Sequence, residues 1–355
     1  MEFLTNYGLF LAKTVTFLVA VFVVITLVVS ASLRGKATEK GQIHVNKLNE
    51  KYKAMREALQ HAIFDEEKQK QHEKDEKKKL KQEKAEQKKL EKKNKNADVV
   101  IEKHKKRVFV LDFVGDIKAS ACENLREEIS AVLTLATPED EVVVKVESGG
   151  GMVHSYGLAS SQLARITNKQ IPLTVCVDKV AASGGYMMAC VANKIIAAPF
   201  AILGSIGVVA QLPNFHRLLK KNDIDFEMFT AGEYKRTVTM FGENTVKGRE
   251  KFVEDLEDTH VLFKEFVSEH RPQVDIATVA TGEIWFGRRA QAVNLIDELQ
   301  TSDEYLLAQV ETADIFEVEF TVKKSLPEKL GMAAQAVVER ALFSVWDKVQ
   351  NSRFF

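Results

Sequence analysis

The sequence predicts an α/β layered domain with a largely parallel sheet, and three observations carry that prediction. Short runs rich in Val, Ile and Phe read as buried strands, stretches with apolar residues at helical spacing separate them, and small-residue loops stand at the strand ends. R-V-F-V-L-D-F-V (107–114) is the first strand, and Leu125, Ile129, Val132 and Leu133 mark one face of the helix after it. E-V-V-V-K-V-E (141–147), L-T-V-C-V (173–177) and K-I-I-A-A (194–198) continue the strands, with helical stretches from His154 to Thr167 and from Ser183 to Ala192 between them. After Gly248, Phe252, Leu256, Phe263 and Phe266 predict a long amphipathic helix.

The regions flanking this part, 106–322, differ from it in composition. Residues 1–13 form an N-terminal flank, and residues 14–33 carry no charge over 20 positions. At about 1.5 Å rise per residue such a run crosses a hydrocarbon core of about 30 Å, so 14–33 reads as a transmembrane anchor. A cleaved signal peptide is the competing reading. Its apolar core would be about 7–15 residues, shorter than this run, although V-S-A at 29–31 resembles a cleavage site. Residues 34–105 read as a charged helical stalk or linker. Between Asp65 and Asn96 there are 13 lysines and 9 acidic residues in 32 positions, too polar to build a core. Pairs such as Glu73–Lys77 and Asp75–Lys79 support helix at i,i+4. Residues 323–355 read as a C-terminal amphipathic helix, with Leu330, Val338, Leu342 and Val345 on one face.

The formal net charge is +0, from 50 basic and 50 acidic residues, so there is no overall basic bias of the kind nucleic acid selects. The interspersed acids and missing aromatics of the charged segment argue against a nucleic-acid tail as well. Cys122, Cys176 and Cys190 fit neither a disulfide framework nor a zinc spacing, and the last two sit in apolar runs that suit buried thiols.

Three loops could carry chemistry. E-S-G-G-G-M (147–152) follows a strand and precedes a helix, so its backbone N–H groups can face an anion unobstructed; a tight turn is the plainer reading. The phosphate-loop pattern G-x-x-x-x-G-K-[ST] is absent. V-A-A-S-G-G-Y-M-M-A-C (180–190) places Ser183 either at a small-residue packing crossing or as a nucleophile at a helix start. G-S-I-G-V-V (204–209) is the third loop. A serine nucleophile needs a base in reach and donors for the oxyanion. Of the eight histidines, the order of elements puts only His154 and His216 near the loops. Lys235, in A-G-E-Y-K-R-T-V-T (231–239), is the other candidate base, and a lysine serves only where burial keeps it neutral.

Taken in order, E-S-G-G-G-M, V-D-K-V-A-A-S-G-G-Y-M-M-A, G-S-I-G-V, A-G-E-Y-K-R and G-E-I-W-F-G-R-R-A-Q-A-V-N-L-I-D-E (282–298) resemble the signal peptide peptidase A family of membrane-anchored serine peptidases, SohB branch. The resemblance covers roughly 107–322 and implies the ClpP/crotonase-like α/β superfold. It further implies Ser183 as nucleophile, Lys235 as general base, Ser205 as the serine that hydrogen-bonds the lysine, and the backbone N–H groups of Gly150 and Gly184 as oxyanion donors. Gly149 stands where the family often has Pro, which loosens the loop but keeps its donors. The 282–298 motif reads as architectural. The implied reaction is acyl transfer from a peptide or protein substrate without metal or cofactor, by a membrane-bound homo-oligomer that does not bind nucleic acid.

Two rival functions stay open: a non-catalytic membrane scaffold, and a crotonase-type acyl-CoA enzyme using the same two amides. Topology is in conflict. Lys13 precedes the span and Arg34, Lys36 and Lys40 follow it, which favours a cytoplasmic domain. The resemblance implies the periplasmic face of a bacterial inner membrane, and that is the expectation carried forward.

Overall fold

The structure, a computed structural model, describes residues 8–17, 41–64 and 105–322. The expected membrane anchor beyond residue 17, the highly charged stretch 65–104 and the expected C-terminal helix lie outside the described residues. The chain divides into two compact units, residues 1–42 with 321–355, and residues 43–320. In the first, a helix (α1) covers residues 8–17. Among the described residues no helix is long and apolar enough to cross a membrane.

In chain order there follow β1 (Gln42–Lys47), α2 (Leu48–Ile63), β2 (Lys106–Gly115), α3 (Cys122–Leu133), β3 (Glu141–Ser148), α4 (Val153–Asn168), β4 (Leu173–Val177), β5 (Val180–Ala182), α5 (Gly184–Ala189) and β6 (Lys194–Ala197). Then come β7 (Ile202–Gly204), α6 (His216–Lys221), α7 (Val246–His270), α8 (Ile276–Val279), β8 (Ile284–Phe286), α9 (Gly287–Ala292), β9 (Glu298–Leu299), α10 (Ser302–Gln309) and β10 (Ala313–Thr321). The main sheet has the order β1-β10-β2-β3-β4-β6-β9, and a short branch runs β3-β5-β7-β8. From β10 to β9 neighbours are parallel, as are β3-β5-β7, while β8 is antiparallel to β7.

The unbroken apolar runs of β2, β3 and β4 follow from burial on both faces of the sheet. On one face Phe109, Leu111 and Phe113 pack with Leu125 and Ile129 of α3 and Tyr156 and Leu163 of α4. On the other, Val108, Val110, Val143, Cys176, Ile196 and Ile315 meet Leu306 of α10 and Leu48 of α2. All three cysteines are free and buried. Helix α7 starts with the Thr245 side chain accepting from Gly248 N and turns Phe263 and Val267 into the core.

Residues 43–63, expected as part of the charged stalk, fall in the same compact unit as the sheet. Asn49 explains this: its amide donates to the Val310 and Ala313 carbonyls at 2.9 Å each, and its oxygen accepts from Ile315 N at 2.7 Å. Lys47 pairs with Asp314 at 3.0 Å, and Leu48 is buried. Composition does not reveal such anchors, because Leu48 and Asn49 stand beside Lys47, Glu50 and Lys51.

The segment 282–298 is held by buried polar contacts. Arg271, 2% exposed, meets both oxygens of Asp297 at 2.9 and 3.0 Å and donates to the Asn294 carbonyl at 3.1 Å. Such a pair contributes little net stability, but removing one partner strands a buried charge. Tyr186 Oη donates to the Leu295 carbonyl at 2.9 Å, which ties α5 to the same segment.

Glu128 of α3 is a buried carboxyl, and its Oε1 accepts from Phe320 N at 2.8 Å. Burial pushes its pKa up to about 7; the Phe320 N–H opposes the shift, while Glu319 and Asp112 add to it. The folded state thus binds this proton more tightly than the unfolded chain. Its stability contribution is present below the ordinary carboxylate range and lost as pH rises through about 7. Glu128→Gln is expected to flatten this slope in urea unfolding between pH 5 and 8. The variant is then more stable than the parent at pH 8, and an unchanged slope contradicts the assignment.

Candidate active site

Of the candidate residues, Ser183, Ser205, Gly150 and Gly184 gather where β3, β5 and β7 end side by side. In parallel register Ser148 lies opposite Ala181, and Ala182 lies opposite Gly204. Ser183 and Ser205 are therefore the first residues beyond two adjacent strands, at the carboxyl edge where open α/β sheets place ligands. Ser183 N donates to the Gly204 carbonyl at 2.8 Å, and Ser205 N to the Glu283 carbonyl at 2.7 Å. Both serines hold positive φ, 52° and 51°. For a non-glycine residue that is a strained conformation, maintained only where the surroundings impose it.

Ser183 sits at the N-terminus of α5 with φ 52° and ψ −119° and is half-buried. The two sequence-predicted oxyanion glycines flank it at contact distance. Gly150 has φ +87°, and a Cβ there would lie 2.6 Å from Gly184 N and 2.8 Å from Ser183 Cβ. A Cβ on Gly184 would enter the Tyr156 ring, 2.8 Å from Tyr156 Cβ. Among the described residues the Gly184 N–H has no acceptor, whereas the Gly150 N–H donates to Ser148 Oγ at 3.0 Å. Gly149, where the family often has Pro, is exposed, and a Cβ there would meet nothing within 4 Å.

A narrow crevice of about 20 Å³ opens at Ser183, lined by Gly151, Val153, Met187, Val208 and, from α7, Thr259 and Phe263. It has room for about one water molecule, so it is the floor of a site and not a side-chain pocket. The apolar run of 180–190 is accounted for here, since Tyr186, Met188, Ala189 and Cys190 are all fully buried.

Lys235 is not joined to this centre. Its side chain is exposed, and neither Lys235 Nζ, Ser183 Oγ nor Ser205 Oγ has a hydrogen-bond partner among the described residues. The segment carrying it is tethered to α7. Glu233 pairs with Lys247 at 2.5 Å, and Lys247 and Lys251 lie over the Tyr234 ring at 5.8 and 5.7 Å. Phe215 stacks on Phe241 at 6.0 Å between ring centroids, and Phe226 meets Phe241 at a tilt at 5.8 Å.

The histidine expectation is corrected. His154 and His216 are exposed or peripheral, and the histidine that reaches the loops is His260 of α7, whose Nε2 lies 3.3 Å from the Ile206 carbonyl. A position within a long helix gave no sign that the helix crosses the site. The 282–298 motif also lies closer than expected: β8 pairs with β7, and Glu283 receives the Ser205 amide. Ser148 and Tyr156 were missed altogether, although Ser148 stands inside the quoted glycine motif.

Gly184→Ala is expected to destabilise the fold by about 1–3 kcal/mol through overpacking against Tyr156. Gly149→Ala should stay within about 0.5 kcal/mol. Chemical denaturation of both variants checks this, and equal effects contradict the packing described.

The sequence matches the descriptions Peptidase family S49 N-terminal over residues 2–163 and Peptidase family S49 over residues 165–315. It is 50% identical over 334 residues to a probable protease SohB of Haemophilus influenzae, covering 94% of each chain. It is 45% identical over 346 residues to a probable protease SohB of Buchnera aphidicola, covering 98% of each. Among solved structures it is similar to a mutant of the 1510-N membrane-bound stomatin-specific protease, with TM-score 0.39 and 13% identity, over 58% of this chain and 85% of that one. On the family match over both parts of its length, the chain belongs to peptidase family S49, in the SohB branch.

Proposed function

We propose that this peptidase is a membrane-anchored serine endopeptidase, with the ClpP/crotonase-like fold, working through a Ser183–Lys235 dyad and an acyl-enzyme. The observation that carries the reading is the backbone at Ser183, strained at the strand–helix junction and clasped between Gly150 and Gly184. Strain of this kind persists where it is part of a mechanism.

In the reaction, neutral Lys235 takes the Ser183 proton as Oγ bonds to the scissile carbonyl carbon. The carbonyl oxygen becomes an oxyanion facing the Gly184 amide and, once its N–H turns from Ser148 Oγ, the Gly150 amide. The C–N bond then breaks, the amine leaves with the proton from Lys235, and Ser183 is left as an ester. Water attacks the ester carbon, Lys235 receives its proton, and the acid leaves as Ser183 is restored. Ser205 sits beside Ser183 on the neighbouring strand end, where its hydroxyl can hold the lysine ammonium. No cofactor enters these steps.

Lys235 must be buried beside Ser183 to act as a base, and it is exposed in the single chain. The segments before and after it leave Met228, Phe229 (90% exposed), Tyr234 and Phe241 exposed. A homo-oligomer that covers this surface would desolvate the lysine. The uncharged run 14–33 supplies the membrane anchor, and the peptidase unit works on the periplasmic side.

Ser183→Ala and Lys235→Ala are each expected to lower peptide hydrolysis on the order of 10⁴-fold or more while unfolding as the parent does. Turnover of a fluorogenic peptide by the purified proteins is the measurement. Normal turnover by Lys235→Ala removes the dyad, and normal turnover by Ser183→Ala removes the serine mechanism.

A further inference from the structure

The 282–298 segment carries groups that the proposed reaction does not use, and they lie together. Strand β8 ends the branch β3-β5-β7-β8 and pairs only with β7. Ser205 N donates to the Glu283 carbonyl at 2.7 Å and Gly287 N to the Ala201 carbonyl at 2.9 Å, so alternate residues from Glu283 to Gly287 bond to β7. The N–H and C=O groups of Ile284 and Phe286 therefore point the other way, away from β7. No strand among the described residues receives them. An open edge of this kind is a template for one more strand.

The side chains beside this edge are apolar and cationic. Trp285 packs against the core, whereas Ile284 and Phe286, on the opposite face of the strand, are 53% and 42% exposed. Phe200, 85% exposed, meets Phe286 edge-on with ring centroids 6.4 Å apart. Both rings, with Pro199, Arg288 and Arg289, line a groove of about 420 Å³, within the size range of binding sites. The two guanidiniums are exposed, and neither has a hydrogen bond, ion pair or ring contact among the described residues. Neighbouring cations differ: Lys194 pairs with Glu298 at 2.9 Å, and Lys179 with Glu147 at 2.9 Å.

Adjacent guanidiniums without an anion complement carboxylates, and the exposed rings complement apolar side chains. The strand edge decides among anionic partners. A lipid headgroup or a free anion leaves the Ile284 and Phe286 backbone groups unused, whereas an extended polypeptide pairs with them. The edge is also within reach of the nucleophile. β8 lies two strand spacings from β5, which ends at Ser183, so a strand added to β8 lies about 14 Å from β5. An extended chain crosses that distance in about four or five residues.

We propose that the open edge of β8 and the groove at Arg288 and Arg289 bind an extended acidic segment of the polypeptide substrate, away from the bond that is cut. This rests on the peptidase reading of Ser183. The segment adds a strand to β8 through its backbone, seats apolar side chains against Phe200 and Phe286, and places carboxylates on the two arginines. Such contacts are the same in the ground and transition states, so they lower KM and leave kcat alone.

The test uses full-length Ser183→Ala protein in detergent and a fluorescein-labelled peptide of alternating Glu and Val, read by fluorescence anisotropy. Adding Arg288→Ala and Arg289→Ala is expected to weaken binding about 5–30-fold, and changing the peptide's Glu to Gln should do the same. The two losses should not add, because they remove one interaction from opposite sides. Arg288→Glu with Arg289→Glu should bind the matching Lys and Val peptide in preference, a reversal that a folding defect cannot produce. In the active protein, a Glu block about five residues from the scissile bond should lower KM by the same factor with kcat within about twofold, and a block beside that bond should not. Equal affinity for the Glu and Gln peptides, or unchanged affinity without the arginines, overturns the proposal. So does a flat peptide response in which the arginine variant instead changes the sedimentation of the assembly, or loses an anionic phospholipid offered in mixed micelles. Those outcomes assign the groove to a second copy or to lipid. If the active protein cleaves no peptide and a fluorophosphonate leaves Ser183 unlabelled, the peptidase reading itself falls, a result separate from the binding measured on Ser183→Ala.

Discussion

Everything at the candidate site depends on two backbones meeting with no side chain between them. The parallel register that sets Ser148 opposite Ala181 brings the end of β3 against the start of α5, and Gly150 then lies on Gly184 and Ser183. A methyl group on either glycine would occupy space already filled by backbone or by Tyr156. That approach forces Ser183 out of the helix it begins and into positive φ. It leaves Oγ and the Gly184 amide at the same edge of the sheet. The large aliphatic core behind it, with β2, β3 and β4 buried on both faces, is what makes the edge rigid.

The α/β class and most elements of the central domain were legible in the sequence, because both signals that define them are local. Doubly buried strands read as unbroken Val and Ile runs, as in 141–148, and the intervening helices keep their apolar faces. The edges were less legible. β1 and the start of α2 join the fold through Leu48 and through Asn49, whose hydrogen-bond partners lie over 250 positions away. Ser183, Gly150 and Gly184 were legible only as members of two motifs in order, and their convergence is a property of strand register, which spacing along the chain does not encode. His260 lay hidden for the same reason: its helix reads as a surface helix until it is seen to cross the serine loops. Ser148 and Tyr156 carry no motif of their own. A buried tyrosine one turn into a helix has the signature of core packing, and only the contacts of its hydroxyl with Ser148 and the Asp116 carbonyl link it to the glycine loop.

The serine and the lysine are set up by opposite physics. Ser183 is half-buried on rigid elements, whereas Lys235 stands exposed on a segment held by surface ion pairs and cation–π contacts that contribute little each. Phe229, Tyr234 and Phe241 of the surrounding segments are exposed as well.

The most direct measurement of the central claim is the site and rate of covalent labelling by a fluorophosphonate, read by peptide mass spectrometry on the full-length protein. A single adduct on Ser183, formed much more slowly when Lys235 is replaced by Ala, is the result this account predicts. An adduct on another serine, or an adduct on Ser183 formed at the same rate without Lys235, would contradict it.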